Sequence, residues 1–324
     1  MTGAGGAAGA SPDATLLFGP VTQDLTAVES DLRRAIASDP AEVARPMAEL
    51  FAAGGKRIRP ALVLLTGRCG SYDLDRLMPA ATAVELTHAA TLVHDDVIDR
   101  SPTRRGRPTI AADLGDEPAI VIGDFYFAKA YEHAARTGSA EVVDILARTV
   151  MSICAGEVRQ QEIRYRYSTG VDEYMHRIEA KTAMLLAACC EIGALIGGLQ
   201  PVQTNALKAY GRELGLAFQI ADDVLDYTAA EGEVGKPIGH DVLEGFTTLP
   251  LMLASITLDD GRRLSEQEAR NVVRAVRDSD GPMRALEQAR EHAALARQHL
   301  ERIEPNEASA ALAALTDYVV SRKL

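Results

Sequence analysis

The sequence lacks several features that would place it in a specialised class of protein. It has no tryptophan, only 5% of its 324 residues are aromatic, and its 14 prolines and 26 glycines exclude a collagen-like or proline-rich chain. Its four cysteines include no C-x-x-C pair, and two of them are adjacent, which favours a reduced compartment. No run reaches the roughly 18 uninterrupted apolar residues of a membrane span. We therefore expect a soluble, cytoplasmic protein with no membrane-spanning segment.

Positive charge is also scarce. The chain carries 34 Lys and Arg against 46 Asp and Glu, a formal net charge of −12, and it contains no long basic block. This balance argues against a nucleic-acid partner, which would need a basic footprint. The N-terminal segment consists of small residues, without the basic start and apolar stretch of a signal peptide. We predict a disordered tail at residues 1–15 and a single domain at residues 16–324.

Helical periodicity is the main pattern that the sequence does have. Ala, Leu, Glu and Arg dominate, apolar residues recur three and four positions apart, and alternating β-branched runs are scarce. With 47% hydrophobic and 25% charged residues, the chain can bury a sizeable core. We predict one all-α domain of about ten helices. Its inner helices are expected around residues 80–98, 119–133, 179–196 and 214–227.

Three aspartates, Asp95, Asp96 and Asp99, stand inside an otherwise apolar helical stretch. On a helix the positions i, i+1 and i+4 fall at about 0°, 100° and 40°, so the three carboxylates occupy one arc of about 100°. Clustered carboxylates repel one another unless a cation lies among them. Mg²⁺ suits such a site because it leaves most of its coordination to water and phosphate oxygens. A single triplet is weak evidence, since this spacing also occurs on solvated helices.

The same pattern recurs at Asp222, Asp223 and Asp226, again inside an apolar stretch. If the two helices face each other across a bundle, their carboxylates form opposed walls that can clamp a diphosphate through Mg²⁺. The two copies together predict a metal-dependent diphosphate site inside the bundle.

Basic residues stand near both triplets, as a diphosphate site requires. Lys56 and Arg59 follow a Gly-Gly turn and share a face if a helix begins there, with Pro60 in its first turn. His88 lies two helical turns before Asp95 on the same face, although a core histidine would fit that position equally well. The remaining candidate cations are Arg104, Arg105, Lys181 and Lys236.

These motifs resemble those of the trans-isoprenyl diphosphate synthases, the polyprenyl synthetase family, and of its medium- and long-chain members. The matching segments occur in the family's order: GGKRIRP at 54–60, ELTHAATLVHDDVIDRSPTRRGRPT at 85–109, GDFYFAKA at 123–130, GEVRQ at 156–160, EAKTA at 179–183, FQIADDVLDY at 218–227 and GKPIGHDVLEGFTTLP at 235–250. The resemblance implies an isoprenoid synthase fold, a single helical bundle around a central cavity, usually as a homodimer. It also implies an isoprenoid biosynthesis reaction, the Mg²⁺-dependent head-to-tail condensation of isopentenyl diphosphate with an allylic diphosphate, which gives an all-trans polyprenyl diphosphate.

The resemblance also implies roles for individual residues, carried over motif by motif. The metal ligands would be Asp95, Asp96, Asp99, Asp222 and Asp226, whereas Asp223 would be less directly a ligand. The allylic diphosphate would contact Arg104, Lys181, Lys236 and Gln219, with Thr182 beside the reacting carbons. Isopentenyl diphosphate would bind to Lys56, Arg59, His88 and Arg105. No side-chain base is required, because the final proton can leave to the diphosphate product.

Two small residues on the first aspartate helix predict a long product. Ala90 and Thr91 stand five and four positions before Asp95, where short-chain members of the resembled family typically carry bulky aromatic residues. With both positions small, the cavity is expected to stay open for at least two turns, about 11 Å. Phe125 or Tyr126 is a candidate for a deeper floor, although core packing explains either residue equally well. We expect a product longer than twenty carbons, roughly six to ten isoprene units, that partitions into the membrane.

One departure and three alternatives accompany this interpretation. Phe246 follows Gly245 where the family commonly has a lysine, so one diphosphate-contacting cation is missing. A short-chain farnesyl or geranylgeranyl diphosphate synthase would use the same motifs. A non-catalytic partner subunit of a heteromeric synthase would have lost one or both triplets. A class I terpene cyclase would carry a different second metal motif and more aromatic residues to stabilise cyclising cations.

Overall fold

The structure is a computed structural model that describes residues 18–228 and 239–321 of the chain. The tail predicted at residues 1–15 lies outside these ranges, as does Lys236. The helices are α1 (Thr22–Ala37), α2 (Ala41–Ala52), α3 (Ile58–Arg68), α4 (Leu74–Ile98), α5 (Ile110–Leu114), α6 (Asp116–Arg136), α7 (Ala140–Glu162), α8 (Val171–Ile178), α9 (Met184–Ile196), α10 (Pro201–Thr228), α11 (His240–Glu244), α12 (Leu249–Leu253), α13 (Glu266–Arg277), α14 (Gly281–His299) and α15 (Glu307–Ser321). A π-helix (Glu179–Ala183) joins α8 to α9, and 3₁₀ turns stand at Gly19–Val21 and Leu300–Arg302.

Local sequence signals set where several of these helices begin. The Asp73 carboxylate caps α4 by accepting hydrogen bonds from the backbone N–H groups of Asp75 and Arg76, at 3.1 and 3.4 Å. Ser265 and Glu268 form a reciprocal capping box at the start of α13. Such caps satisfy backbone donors that have no partner within their own helix.

The two aspartate helices, α4 and α10, are long and central. α4 packs along α6 and α3, while α10 packs along α14 and α9. Glycines allow α10 to approach its neighbours closely. A Cβ at Gly211 would lie 2.6 Å from the carbonyl oxygen of Leu186, and a Cβ at Gly215 would lie 2.5 Å from the Cα of Ala183. The spacing of the central helices therefore depends on positions that have no side chain.

The all-α prediction is confirmed. Within the described residues the only strands are β1 (Thr103–Arg104) and β2 (Arg107–Pro108), two residues each, which pair as an antiparallel hairpin. Pro60 lies in the first turn of α3, as predicted. None of the described helices is both long and apolar enough to cross a membrane.

Candidate active site

A cavity of about 310 Å³ lies between the two aspartate helices. Residues of α3, α4, α7, the π-helix, α10 and the segment around α11 contribute to its walls. The predicted site residues that line it are Arg59, His88, Thr91, Asp95, Asp99, Arg104, Lys181, Thr182, Gln219 and Asp222. Its apolar lining includes Leu92, Ile153, Leu185 and Phe218. The cavity therefore combines charged groups of both signs with an apolar wall.

The first triplet divides between this cavity and its surroundings. Asp95 and Asp99 line the cavity. Asp96 is buried and instead holds Arg104, whose Nε donates to both carboxylate oxygens at 2.9 Å and whose Nη2 lies 2.8 Å from Oδ1. Position i+1 is turned about 100° around the helix, so Asp96 faces a different neighbour from the other two aspartates. The structure does not bring all three carboxylates to one wall.

The charge of Asp95 is disfavoured by its surroundings. Burial raises the pKa of Asp95 to about 6, Lys181 opposes this shift, and the carboxylates of Glu157 and Asp99 add to it. The Nζ of Lys181 lies 2.7 Å from Glu157 Oε2 and 3.9 Å from Asp95 Oδ1. The Lys181 ammonium is therefore shared by Asp95 and Glu157, and Asp99 adds a third carboxylate nearby. This cluster of three carboxylates favours the binding of a further cation.

The second triplet divides in a similar way. Asp222 and Asp223 both line the cavity, but Asp222 is exposed, whereas Asp223 is buried. Burial, and then the charge of Asp241, raise the pKa of Asp223 to about 7. Asp226 is half-buried at the end of α10, outside the cavity lining, and its backbone carbonyl accepts a hydrogen bond from the N–H of Gly239 at 3.2 Å. Asp222 is therefore the carboxylate of this triplet that the cavity exposes most.

A chain of hydrogen bonds fixes the polar groups between the π-helix and α10. The Thr182 hydroxyl donates to Gln219 Oε1 at 2.7 Å, and Gln219 Nε2 donates to Asp223 Oδ1 at 2.8 Å. The Tyr174 hydroxyl donates to Asp223 Oδ2 at 2.7 Å. Lys181 and Thr182 belong to the π-helix, a rare backbone form that recurs at functional sites. The chain holds Thr182 and Gln219 on the cavity wall.

His88 and Arg59 line the cavity within a cluster of cations. Burial, and then the charges of Arg59, Arg105, Arg104 and Arg57, hold the pKa of His88 well below its usual value. Burial also lowers the pKa of Arg59. In the part of the chain that the structure describes, nothing accepts a hydrogen bond from the buried Arg59 Nε. Mutually repelling cations and an unsatisfied buried donor fit an anionic ligand.

Two residues predicted to bind isopentenyl diphosphate do not line the cavity. Lys56 is exposed, donates a hydrogen bond to the Tyr318 hydroxyl, and has its Nζ 4.9 Å from the centroid of that ring. The guanidinium of Arg105 lies beside Gly55, where an added Cβ would meet Nη1 at 3.3 Å. Arg57 anchors the basic turn, residues 54–59, because its Nη1 lies 2.9 Å from Glu85 Oε1. The sequence did not mark Arg57 as a site residue.

The candidate chain-length residues are also divided. Thr91 lines the cavity, whereas Ala90 is fully buried and does not. Tyr126 is fully buried, and its hydroxyl donates to an Asp39 carboxylate oxygen at 3.2 Å. Phe125 packs edge-on against Tyr126, with centroids 5.3 Å apart. These two aromatic residues pack away from the cavity wall, so the floor predicted at Phe125 or Tyr126 is not found in the cavity described here.

Several cavity residues were missed by the sequence reasoning. Asp241 and Glu244 line the cavity, and their position within a recognised motif was the available signal. Phe246, which the sequence marked as a departure from the family, lines it too. Arg177 also lines it, four positions before Lys181, and no local pattern marked it. The hydrogen bond that holds Arg177 joins residues far apart in sequence, so periodicity alone contained no information about it.

The carboxylates fit a divalent metal that is completed by substrate. Among residues 18–228 and 239–321, no three carboxylate, imidazole or thiol groups lie close enough together to hold a metal ion by themselves. A hard cation such as Mg²⁺ binds through one or two carboxylates and completes its shell with water and phosphate oxygens. The raised pKa of Asp95, which reflects an unfavourable buried charge, agrees with such a ligand.

Comparison with known proteins indicates the family to which the chain belongs. The family model for polyprenyl synthetase matches residues 40–279. The chain is 43% identical over 238 residues to heptaprenyl diphosphate synthase component 2 of Geobacillus stearothermophilus, covering 74% of each chain.

Two solved structures show the same fold over nearly the whole chain. A polyprenyl synthase from Caulobacter crescentus, complexed with calcium and isoprenyl diphosphate, superposes with a TM-score of 0.91 and 36% identity, covering 96% of this chain and 98% of that one. A geranylgeranyl pyrophosphate synthetase from Pyrococcus horikoshii superposes with a TM-score of 0.86 and 30% identity, covering 95% and 98%.

The helical bundle, its acidic and basic cavity and these similarities define a prenyltransferase with the all-α isoprenoid synthase fold. The chain belongs to the polyprenyl synthetase family, and its activity is that of a trans-prenyl diphosphate synthase.

Proposed function

We propose that this enzyme requires Mg²⁺ and adds isopentenyl diphosphate repeatedly to an allylic diphosphate, giving an all-trans product longer than twenty carbons. The observation that carries the proposal is the pairing of two acidic helices with a cationic cluster around one cavity. Carboxylates on both walls suit metal-bound diphosphate, and the arginines suit a second diphosphate.

We assign the allylic diphosphate to the side of the cavity between the two triplets. Asp95, Asp99 and Asp222 line that side and would hold Mg²⁺, with Asp226 one turn further along α10. We assign Asp96 a supporting role, because its carboxylate holds the guanidinium of Arg104 on the cavity wall. When bound, the metal supplies positive charge where the departing diphosphate develops negative charge.

Side chains of the enzyme would orient the allylic diphosphate and stabilise the negative charge that develops when its C–O bond breaks. Lys181 and Arg104 line the cavity and would bind oxygens of the leaving diphosphate. Thr182 would stand beside the reacting carbons, and Gln219, which accepts its hydrogen bond, would stand close to the diphosphate. Apolar residues such as Leu92 exclude water from the allylic cation that forms when the C–O bond breaks.

We place isopentenyl diphosphate among the cations of α3 and α4. Arg59 and His88 line the cavity, and the arginine charges around them would be compensated by a diphosphate. Arg105 contributes to this positive field, whereas Lys56 would have to leave Tyr318 to reach the same ligand. Holding the alkene close to the allylic carbon makes it the nucleophile, and the final proton leaves to the diphosphate product.

The small side chain of Thr91 on the cavity wall supports the proposal of a long product. Thr91, one turn below Asp95, leaves the apolar side of the cavity open. The similarity to a heptaprenyl diphosphate synthase component favours a long product. The similarity to a geranylgeranyl pyrophosphate synthetase favours the short-chain alternative. We propose roughly six to ten isoprene units, a product apolar enough to partition into the membrane, made by a cytoplasmic enzyme.

The name of the heptaprenyl relative, component 2, supports a second reading. A synthase of that kind consists of more than one component, so this chain would be the catalytic subunit of a heteromer. We favour a homodimer that is active alone, because the described cavity contains both the acidic and the basic groups that the two substrates require.

One experiment tests these proposals together. The purified chain is incubated with Mg²⁺, isopentenyl diphosphate and farnesyl diphosphate, the product is identified by mass spectrometry, and the oligomer is weighed by light scattering. We expect a polyprenyl diphosphate from a homodimer. Asp95→Ala and Asp222→Ala are each expected to lower turnover about 100-fold or more, because each removes charge stabilisation in the transition state.

The matched control is Asp144→Ala, since Asp144 is an exposed carboxylate on α7 that forms an ion pair with the neighbouring Arg148. Near-wild-type turnover of either cavity variant would contradict the proposed metal site. Absence of product from the chain alone would favour the heteromeric reading.

A further inference from the structure

One cavity arginine, Arg177 on α8, is not among the residues assigned above to either substrate. Its side chain is 8% exposed, and it lines the cavity together with Lys181, four positions later. A buried guanidinium is costly unless its charge is compensated.

Aromatic rings and a backbone carbonyl hold this guanidinium in place. Its central carbon lies 5.5 Å from the centroid of the Tyr174 ring and 5.8 Å from that of Phe246. Its Nη2 donates to the carbonyl oxygen of Thr247 at 2.8 Å, its one hydrogen bond to the described residues. These contacts fix the direction of the guanidinium, and none of them is made by a carboxylate.

A second arginine near the same ring, Arg164, differs in this respect. The guanidinium of Arg164 lies 5.6 Å from the Phe246 centroid, donates to the Glu244 carbonyl at 2.8 Å, and forms an ion pair with the Glu244 carboxylate. Within the described ranges no carboxylate lies within 4.0 Å of the Arg177 guanidinium. Of these two arginines, the one that lines the cavity is the one without a carboxylate partner.

The charges around Arg177 place it on the side of the second triplet. Arg177 lowers the pKa of Asp223 and opposes the upward shift of Tyr174. The cations that act on His88 are Arg59, Arg105, Arg104 and Arg57, and Arg177 is not one of them. Arg177 and the basic turn therefore belong to different parts of the cavity.

We propose that Arg177 binds the diphosphate of the allylic substrate, and that the rings of Phe246 and Tyr174 position it for this contact. This inference rests on the proposed function of the cavity. A planar guanidinium suits bidentate contact with phosphate oxygens. A diphosphate would supply the direct ionic contact, since Asp223 acts on Arg177 only from beyond ion-pair distance.

The decisive variants are Arg177→Gln and Arg177→Gln combined with Phe246→Lys. Loss of a charged hydrogen-bond donor is expected to raise the KM for farnesyl diphosphate about 10- to 100-fold, with the KM for isopentenyl diphosphate changed less than about two-fold. The double variant returns a cation to the same corner, so it is expected to recover part of the loss. Calorimetry with inorganic diphosphate and Mg²⁺ gives a readout independent of turnover and is expected to show a matching loss of affinity.

Two further variants separate binding from structure. Arg164→Gln removes the other guanidinium near Phe246, and it is expected to leave the KM for farnesyl diphosphate within about two-fold of wild type, because Arg164 is not among the residues that line the cavity. Arg177→Lys keeps the charge and fills the same space without the planar fork, so an intermediate loss is expected, and it tests the contact if the glutamine variant does not fold.

The outcomes are distinct. A wild-type KM and wild-type diphosphate affinity in Arg177→Gln would overturn the inference, as would an equal rise in KM for both substrates. A wild-type chain that binds diphosphate through Arg177 but makes no prenyl product would instead contradict the proposed function.

Discussion

Asp95 shows how a single residue links the site to the stability of the protein. Burial raises its pKa to about 6, and Lys181 is shared between it and Glu157. The ionised carboxylate therefore lowers the free energy of unfolding of the metal-free protein. The proposed metal site requires this carboxylate despite that cost. The same balance between function and stability is common in active sites.

We predict that Asp95→Asn stabilises the metal-free protein at pH 8 by about 1 to 3 kcal/mol, because asparagine cannot ionise. The sign follows from the raised pKa. Below the unfolded value of 3.8 both states are protonated and the cost is absent; between 3.8 and about 6 the unfolded state ionises first and the free energy of unfolding falls; above about 6 the cost is complete. The gain of the variant over wild type should therefore grow across that window and then level off.

Urea unfolding in the presence of EDTA, at several values of pH from 4 to 8, measures this difference. Asp144→Asn, on an exposed face, is the control and is expected to show no comparable gain. If Asp95→Asn were less stable than wild type at pH 8, the ion pair with Lys181 would outweigh the cost of burial.

At the scale of elements, the π-helix and its contact with α10 determine where the reactive side chains stand. The π-helix places Lys181 and Thr182 on the cavity wall, and its backbone packs directly on Gly215. The sequence predicted an inner helix over 179–196, and the structure has a π-helix over its first five residues. The wider π turn depends on close packing against α10 and α7, which a local pattern does not report.

We predict that Gly215→Ala destabilises the protein by about 1 to 2 kcal/mol and lowers turnover, although alanine is the better helix former. The added Cβ would lie 2.5 Å from the Cα and 2.9 Å from the Cβ of Ala183, so one backbone must shift and move Lys181 with it. Thermal unfolding and kcat measure the two effects.

Gly19→Ala is the matched control, because no atom of residues 18–228 and 239–321 lies within 4 Å of the Cβ position there. It is expected to keep wild-type stability and turnover. An unchanged kcat in a destabilised Gly215→Ala protein would show that the π-helix adjusts without moving its side chains.

At the scale of the whole molecule, the cavity decides the length of the product. Thr91 lies on its wall about one helical turn, or 6 Å, below Asp95. Ala90 is fully buried, so a larger residue there would overpack the core instead of entering the cavity directly. Of the two positions that the sequence indicated, Thr91 and not Ala90 is therefore the one at which a substitution tests chain length.

We predict that Thr91→Phe shortens the product to roughly fifteen or twenty carbons while turnover is retained, because the ring blocks the apolar wall and leaves Asp95 in place. Chromatography of the dephosphorylated products measures the shift. Thr91→Val, which adds no length, is expected to leave the product unchanged. A wild-type enzyme that already stops at twenty carbons would refute the proposal of a long product.

The sequence by itself determined the helical class, the two acidic helices and the basic residues near them, because these depend on periodicity and on residue types close together in the chain. Only the tertiary structure decided which of those side chains enter the cavity. Asp96 turns to Arg104 while Asp95 faces the cavity, although the two are adjacent. Arg177 is held through the carbonyl of Thr247, seventy positions away. The direction of a side chain depends on the partners that packing brings to it, and those partners come from distant parts of the sequence.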